Sequence, residues 1–127
     1  MFSEFDNFII KHQNELSADE WRDISKKYEL SVEMMRLFQN KIFWYHIARY
    51  QTLSVDFIKE FMNYQLKNYM DVICRYQELT PEFIEEFKDI IDWDVVVENQ
   101  NLPLDFILKH LDDIQKFRNQ NAADEVD

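Results

Sequence analysis

Four stretches of this chain carry one pattern in a common register, and that register leaves few folds open. Beginning at Trp21, Trp44, Met70 and Trp93, each places a large apolar residue first, Ile or Val three positions on and Leu at nine. Gln stands at position seven in three of them (Gln51, Gln77, Gln100), and Ser, Thr or Pro follows the Leu. The clearest copy reads Trp44-Tyr-His-Ile47-Ala-Arg-Tyr-Gln51-Thr-Leu53-Ser54-Val-Asp-Phe57-Ile58. The starts lie 23, 26 and 23 residues apart, a period typical of arrays of small structural units rather than of a catalytic scaffold. Recurring positions in such an array are core, so function is expected where the copies differ.

Each copy reads as two short helices. Positions 0, 3 and 7 share one helical face, as in Trp93, Val96 and Gln100. The second helix is expected to begin after the Leu, where Ser31, Ser54 and Thr80 suit an N-cap. Thr80-Pro81-Glu82 is the strongest start, with Pro at the first helical position and an acid in the first turn. In the last copy Pro103 takes the hydroxyl residue's place, which predicts a cap shifted to Asn101. Asn68 and Asp92 are the expected caps of the third and fourth first helices. Pairs such as Phe57/Ile58/Phe61 and Phe83/Ile84/Phe87 form the buried face of the second helices. The Gln series reads as half-buried amides that bond the backbone of the following turn.

The fold class expected is all-α: a tandem array of about four short helix pairs, a small solenoid or compact bundle, with an N-terminal capping helix. The absence of Gly supports this, because hairpin turns and phosphate-cradling loops lose their usual residue. A helix from about Phe2 to Gln13 and a capping box at Ser17 and Glu20 cover the open end. One domain is expected over residues 1–115, followed by a polar tail, 116–127, that frays.

The pattern W-x2-I-x3-Q-x-L-S-x2-F-I-x2-F, carried by residues 16–114, resembles short helical repeats of bacteriophage and large-DNA-virus proteins. The resemblance implies architecture more than activity. The first copy departs from it at Tyr28 and at Met34-Met35, and the third at Met70.

The candidate chemistry is thin. Cys74 excludes an internal disulfide and a Cys-based zinc site, and fits a small buried hydrophobe in a reducing cytoplasm. His12, His46 and His110 have no metal-binding partner at helical spacing, and His110 stands where other copies have Phe61 and Phe87. Asp89, Asp92 and Asp94 lack the Gly turn a calcium loop needs. No cofactor, metal or catalytic set is therefore assigned, and the protein reads as non-enzymatic. No signal peptide is apparent, and no run of 18 apolar residues predicts a membrane span.

Charge says more. Net charge is −11, with 15 acids and 6 bases in residues 65–127. From Glu78 to Glu98 there are eight acids and only Lys88 as a base. That field repels phosphate backbones and favours basic protein partners, so no direct nucleic-acid contact is expected. Glu78, Glu82, Glu85 and Asp89 recur at helical spacing as one negative stripe, joined by Glu86, Asp94 and Glu98. A second candidate surface is aromatic: Tyr45, Tyr50, Tyr64, Tyr69 and Tyr76 fall outside the repeat frame, with Arg49 and Arg75 beside them. The expected function is an acidic protein-binding module in a host cytoplasm, a phage or viral inhibitor of a host protein such as a defence nuclease, working like a nucleic-acid mimic. The alternative is a structural or adaptor protein that self-associates, as a homodimer for example, through the tyrosine surface.

Overall fold

The computed structural model describes residues 1–125, with side chains through residue 122; among them all regular structure is helical and no strand is present. Helix α1 (Glu4–His12) precedes the first copy, which holds α2 (Ala18–Lys27) and α3 (Val32–Leu37). The second copy supplies α4 (Trp44–Tyr50) and α5 (Val55–Phe61), and the third α6 (Met70–Tyr76) and α7 (Pro81–Glu86). The fourth supplies α8 (Trp93–Asn99) and α9 (Leu104–Lys109), and α10 (Leu111–Glu125) closes the chain.

Helices of six to ten residues do not persist alone, so caps and packing must hold them. Ser31, Ser54 and Thr80 each accept the backbone N–H three residues on at 3.1 Å, as the sequence predicts. Capping boxes form at Ser3/Asp6 and Ser17/Glu20, and Asp92 caps Val95 at 3.1 Å. Two expected caps do not form. Helix α6 begins at Tyr69 without a side-chain cap, so Asn68 is not used; α9 begins at Pro103 rather than after a cap at Asn101. Pro103 has a fixed φ of −59°, already close to helical, and supplies the helix start itself.

The chain divides into two compact units, Met1–Thr52 and Leu53–Asp127. In the first, α2 packs on α4, and Trp21 meets Phe38 with ring centroids 5.0 Å apart. Ser25 is fully buried there: its hydroxyl donates to the Trp21 carbonyl (2.8 Å) and accepts from the Phe43 N–H (2.9 Å). One small polar side chain thus tethers α2 to the start of α4.

In the second unit α6 packs on α8, and α8 on α10. The longer spacing before Met70 is taken up by the turn after α5, which drops Met62 and Leu66 into the core. Ile47, Ile73 and Val96, equivalent in their copies, are all fully buried. From residue 116 the polar segment runs on in α10 as far as Glu125, and Arg118 bonds α8 through Asp94 at 2.8 Å. Residues 126 and 127 of that tail lie outside the described residues.

The Gln series bonds the corner of the preceding copy, not the following turn. Gln51 Oε1 accepts the Leu30 N–H (3.0 Å), while its Nε2 donates to the carbonyls of Ser25 (2.9 Å) and Tyr28 (2.6 Å). Gln100 repeats this on Leu79 (3.0 Å), Cys74 (2.8 Å) and Gln77 (2.7 Å), and Gln77 accepts from Leu53 (2.9 Å). Helix C-termini leave carbonyls without intrahelical partners, and with no Gly to close the corner an amide from the next copy satisfies them. The first copy has no predecessor to clamp, and Tyr28 there stacks on Phe5 at 4.7 Å.

Candidate partner-binding surfaces

The acidic residues do not form one helical stripe. Only Glu82, Glu85 and Glu86 lie on α7; Glu78 sits in the corner before it and Asp89 in the turn after it. Helix α7 ends at Glu86, so the spacing that predicted a continuous row crosses two breaks in the helix. Several of these carboxylates also have internal partners. Glu86 pairs with Lys59 at 2.8 Å, holding α7 to α5 and raising the lysine's pKa. Asp94 pairs with Arg118. Glu78, Glu82, Asp89 and Glu98 remain as exposed acids of the second unit.

Glu85 has a different task. His110, 2 % exposed, presents Nε2 to the Glu85 carboxylate in a close charge contact and Nδ1 to Asp113 Oδ2 at 2.8 Å. Its ring stacks on Trp93 (5.3 Å between centroids) and tilts against Phe106 (4.6 Å). The hydrogen bond to His110 holds the Asp113 carboxyl below the usual range; partial burial opposes this, and the charges of Lys88, His110 and Lys116 reinforce it. His110 keeps the aromatic packing of Phe61 and Phe87 and adds a hydrogen-bonded latch onto α10 through Asp113. The repeat register locates that substitution, but the carboxylates it meets come from two other helices.

The tyrosines scatter. Tyr64 is the most exposed, Tyr45, Tyr50 and Tyr76 less so, and Tyr69 is half-buried. Tyr45 and Tyr50 belong to the first unit, and Tyr64, Tyr69 and Tyr76 to the second. Around the first pair the structure gathers Arg49, expected beside them, with Lys26 and Arg22, which sequence reasoning passed over. Arg49 lies 5.1 Å from the Tyr50 centroid and donates to the Tyr45 hydroxyl at 3.1 Å; Lys26 lies 5.4 Å from the same Tyr50 ring. Arg22 stands 4.8 Å over Phe43, and His46 contacts both tyrosine rings at 5.3 and 5.9 Å. Burial, then the charges of Lys26, Arg22 and Arg49, push the His46 pKa down. The signal in the sequence was the basic residue at position five of the first copy, Lys26, matching Arg49 and Arg75.

Cys74 is fully buried and its thiol is pushed up to about 12, chiefly by burial, with Asp71 and Asp92 adding to it. It is packing, not a nucleophile at neutral pH. Among the described residues no three His, Cys, Asp or Glu side chains converge as metal ligands, and no helix is long and apolar enough to cross a membrane. No protein-family model, curated protein or solved structure matches this chain.

Proposed function

We infer that this protein is a non-enzymatic binding module that uses the acidic surface of its second unit to occupy a basic surface on a partner protein. The observation that carries this reading is the division of labour among the polar groups. Gln51, Gln77, Gln100, His110, Glu85 and Glu86 are spent on internal bonds, while Glu78, Glu82, Asp89 and Glu98 point outward. The unit that bears them carries 17 acids against seven bases. Such a field steers a basic partner and sets orientation more than it sets final affinity. The likeness of the repeat to phage and large-DNA-virus proteins supports a viral inhibitor of a host protein, a defence nuclease whose phosphate channel the carboxylates fill, acting in the host cytoplasm.

The test is capture from host lysate with the wild type and with Glu78→Lys/Glu82→Lys/Asp89→Lys/Glu98→Lys as bait. A partner retained by the wild type should be lost from the variant and should elute between about 0.1 and 0.5 M salt, where screening shortens to a few ångströms. Circular dichroism should be unchanged, because none of the four side chains is buried. Retention by the variant, or indifference to salt, removes the electrostatic reading. A second reading, self-association through tyrosines, is favoured by the exposure of Tyr64 at 73 %. Sedimentation that shows a dimer lost in Tyr64→Ser would establish it.

A further inference from the structure

Each Gln clamp closes the corner of the copy before it, which leaves the corner of the fourth copy with no following Gln. By register the groups there are the carbonyls of Val97 and Gln100 and the N–H of Leu102, equivalent to those of Cys74, Gln77 and Leu79. Among the described residues no side chain bonds these three groups; of the α10 amides, Gln115 and Asn119 bond each other at 3.3 Å. Burial follows the same break. Leu30, Leu53 and Leu79 are buried, whereas Leu102 is half-buried. Ile58 and Ile84 are fully buried, whereas Ile107, at the same position, is half-buried. Helices α3, α5 and α7 each bury at least two residues, and α9 buries none. Helix α10 does not close this end in register. In the earlier copies a turn of six or eight residues leads from the second helix to the next first helix, but only His110 separates α9 from α10. Arg118 of α10 is bonded to the start of α8 at Asp94, and Lys116 and Phe117 line a pocket with Trp93, away from the C-terminal corner.

We propose that the C-terminal corner of α8 and the adjoining face of α9 seat a helix from another polypeptide, of sequence apolar-x2-Ile/Val-x3-Gln, whose Gln makes the fourth clamp. The molecule itself defines this occupant, because it contains three of the kind: Trp44/Ile47/Gln51, Met70/Ile73/Gln77 and Trp93/Val96/Gln100. A carboxamide offers one acceptor to the Leu102 N–H and two donors to the Val97 and Gln100 carbonyls from a single planar group. A carboxylate lacks the donors and an ammonium lacks the acceptor. Charge sets one further position. Lys26, at position five of the first copy, lies 5.4 Å from the Tyr50 ring at position six of the second. By the same register Glu98 faces position six of the seated helix and favours Lys or Arg there. A second copy of this chain fits less well. Its leading repeat helix, α2, is followed by Tyr28 at position seven, and its Gln51, Gln77 and Gln100 are engaged in clamps of their own. The seat shares only Glu98 with the acidic surface proposed above, and adds to charge a shape and a bond that specify sequence.

The probe is a fluorescent peptide of residues 43–54 carrying Tyr50→Arg, stapled on its outward face because so short a helix does not persist alone. Anisotropy with the whole protein should show saturable binding. Gln51→Leu in the peptide should weaken it by about tenfold, and Leu102→Pro in the protein, which deletes the N–H, should do likewise. Glu98→Arg, at an exposed position, should weaken it severalfold without touching the fold. Glu82→Lys/Asp89→Lys should leave it within about twofold at physiological salt, so failure of the seat and failure of the acidic surface are read separately. Amide NMR locates the contact: the Leu102 N–H should shift on saturation, while those of Leu30, Leu53 and Leu79, already bonded, should not. No saturable binding, binding indifferent to Gln51→Leu, or a silent Leu102 overturns the proposal. Shifts at Leu30, Leu53 or Leu79 with Leu102 unmoved mean that the peptide exchanges into an internal seat. A Leu102 N–H that shifts with protein concentration alone assigns the face to a second copy, and either result overturns the proposal.

Discussion

The two units are built by one rule and finished by opposite ones. Gln51 in the first and Gln100 in the second make the same three bonds, to the carbonyls at positions four and seven and the N–H at nine of the copy before. Around that shared clamp the first unit gathers Lys26 and Arg49 over tyrosine, and the second exposes Glu78, Glu82, Asp89 and Glu98. The second unit also replaces a repeat Phe with His110 and ties α10 to α7 through it. Buried positions are therefore constrained by geometry common to every copy, while outward positions are free to acquire a charge. In such an arrangement the residues that hold the fold can be perturbed apart from those that carry the surface charge.

The largest effect should come from cutting the core of one unit. Trp93 is 2 % exposed, donates Nε1–H to the Lys88 carbonyl at 3.1 Å and supports the His110 ring. Trp93→Ala should cost about 3–5 kcal/mol, measured by urea unfolding. Trp21→Ala is the equivalent change in the first unit, and the chain's only thiol belongs to the second. With its pKa near 12, Cys74 should react with a disulfide reagent at neutral pH only when its surroundings open. Labelling should accelerate strongly in Trp93→Ala. If Trp21→Ala accelerates it equally, the two units do not yield separately.

The clamps should rank next. Leu is close to Gln in volume but cannot bond, so Gln100→Leu leaves the Leu79 N–H and the Cys74 and Gln77 carbonyls without that partner. Such losses cost about 1–3 kcal/mol, and Gln51→Leu should cost a similar amount in the first unit. Amide exchange locates each effect: Leu79 should lose protection in the former and Leu30 in the latter. Equal loss of both in either variant would mean the clamp acts globally rather than on its own corner.

Much of this was legible in the sequence because the repeat superposes several independent signals. Ile47, Ile73 and Val96 fall on one register, and Ser31, Ser54 and Thr80 announce each second helix. The helical fold follows from these without any structure. What stayed hidden was the direction of long-range bonds. The Gln spacing shows that an amide recurs but not that it reaches back about 21–26 residues to the copy before. The acidic stripe failed for a local reason: spacing was counted through Glu78 and Asp89, where the backbone is not helical. The Lys26–Tyr50 contact was missed because total charge conceals a local cluster of the other sign.

The smallest effect, and the most specific, concerns the latch that only the second unit has. Asp113 has a carboxyl pKa lowered first by its bond to His110, so its ionised form is favoured in the folded protein. For a depressed carboxyl the stabilisation is present above the unfolded value of about 3.9 and is lost as pH falls through the lower folded value. Acidification below about pH 4 should therefore loosen α10 in the wild type. Asp113 is about one-third exposed, so screening keeps the contribution within about 1 kcal/mol. His110→Phe restores the residue type of Phe61 and Phe87 and should fold, yet it removes the bond, leaving only Lys88 and Lys116 to favour the carboxylate. The difference in melting temperature between wild type and variant should therefore narrow from pH 7 to pH 3, and NMR titration of the Asp113 carboxyl should move upward in the variant. A carboxyl that titrates identically in both proteins would mean that His110 serves packing alone and that the second unit has no latch the first lacks.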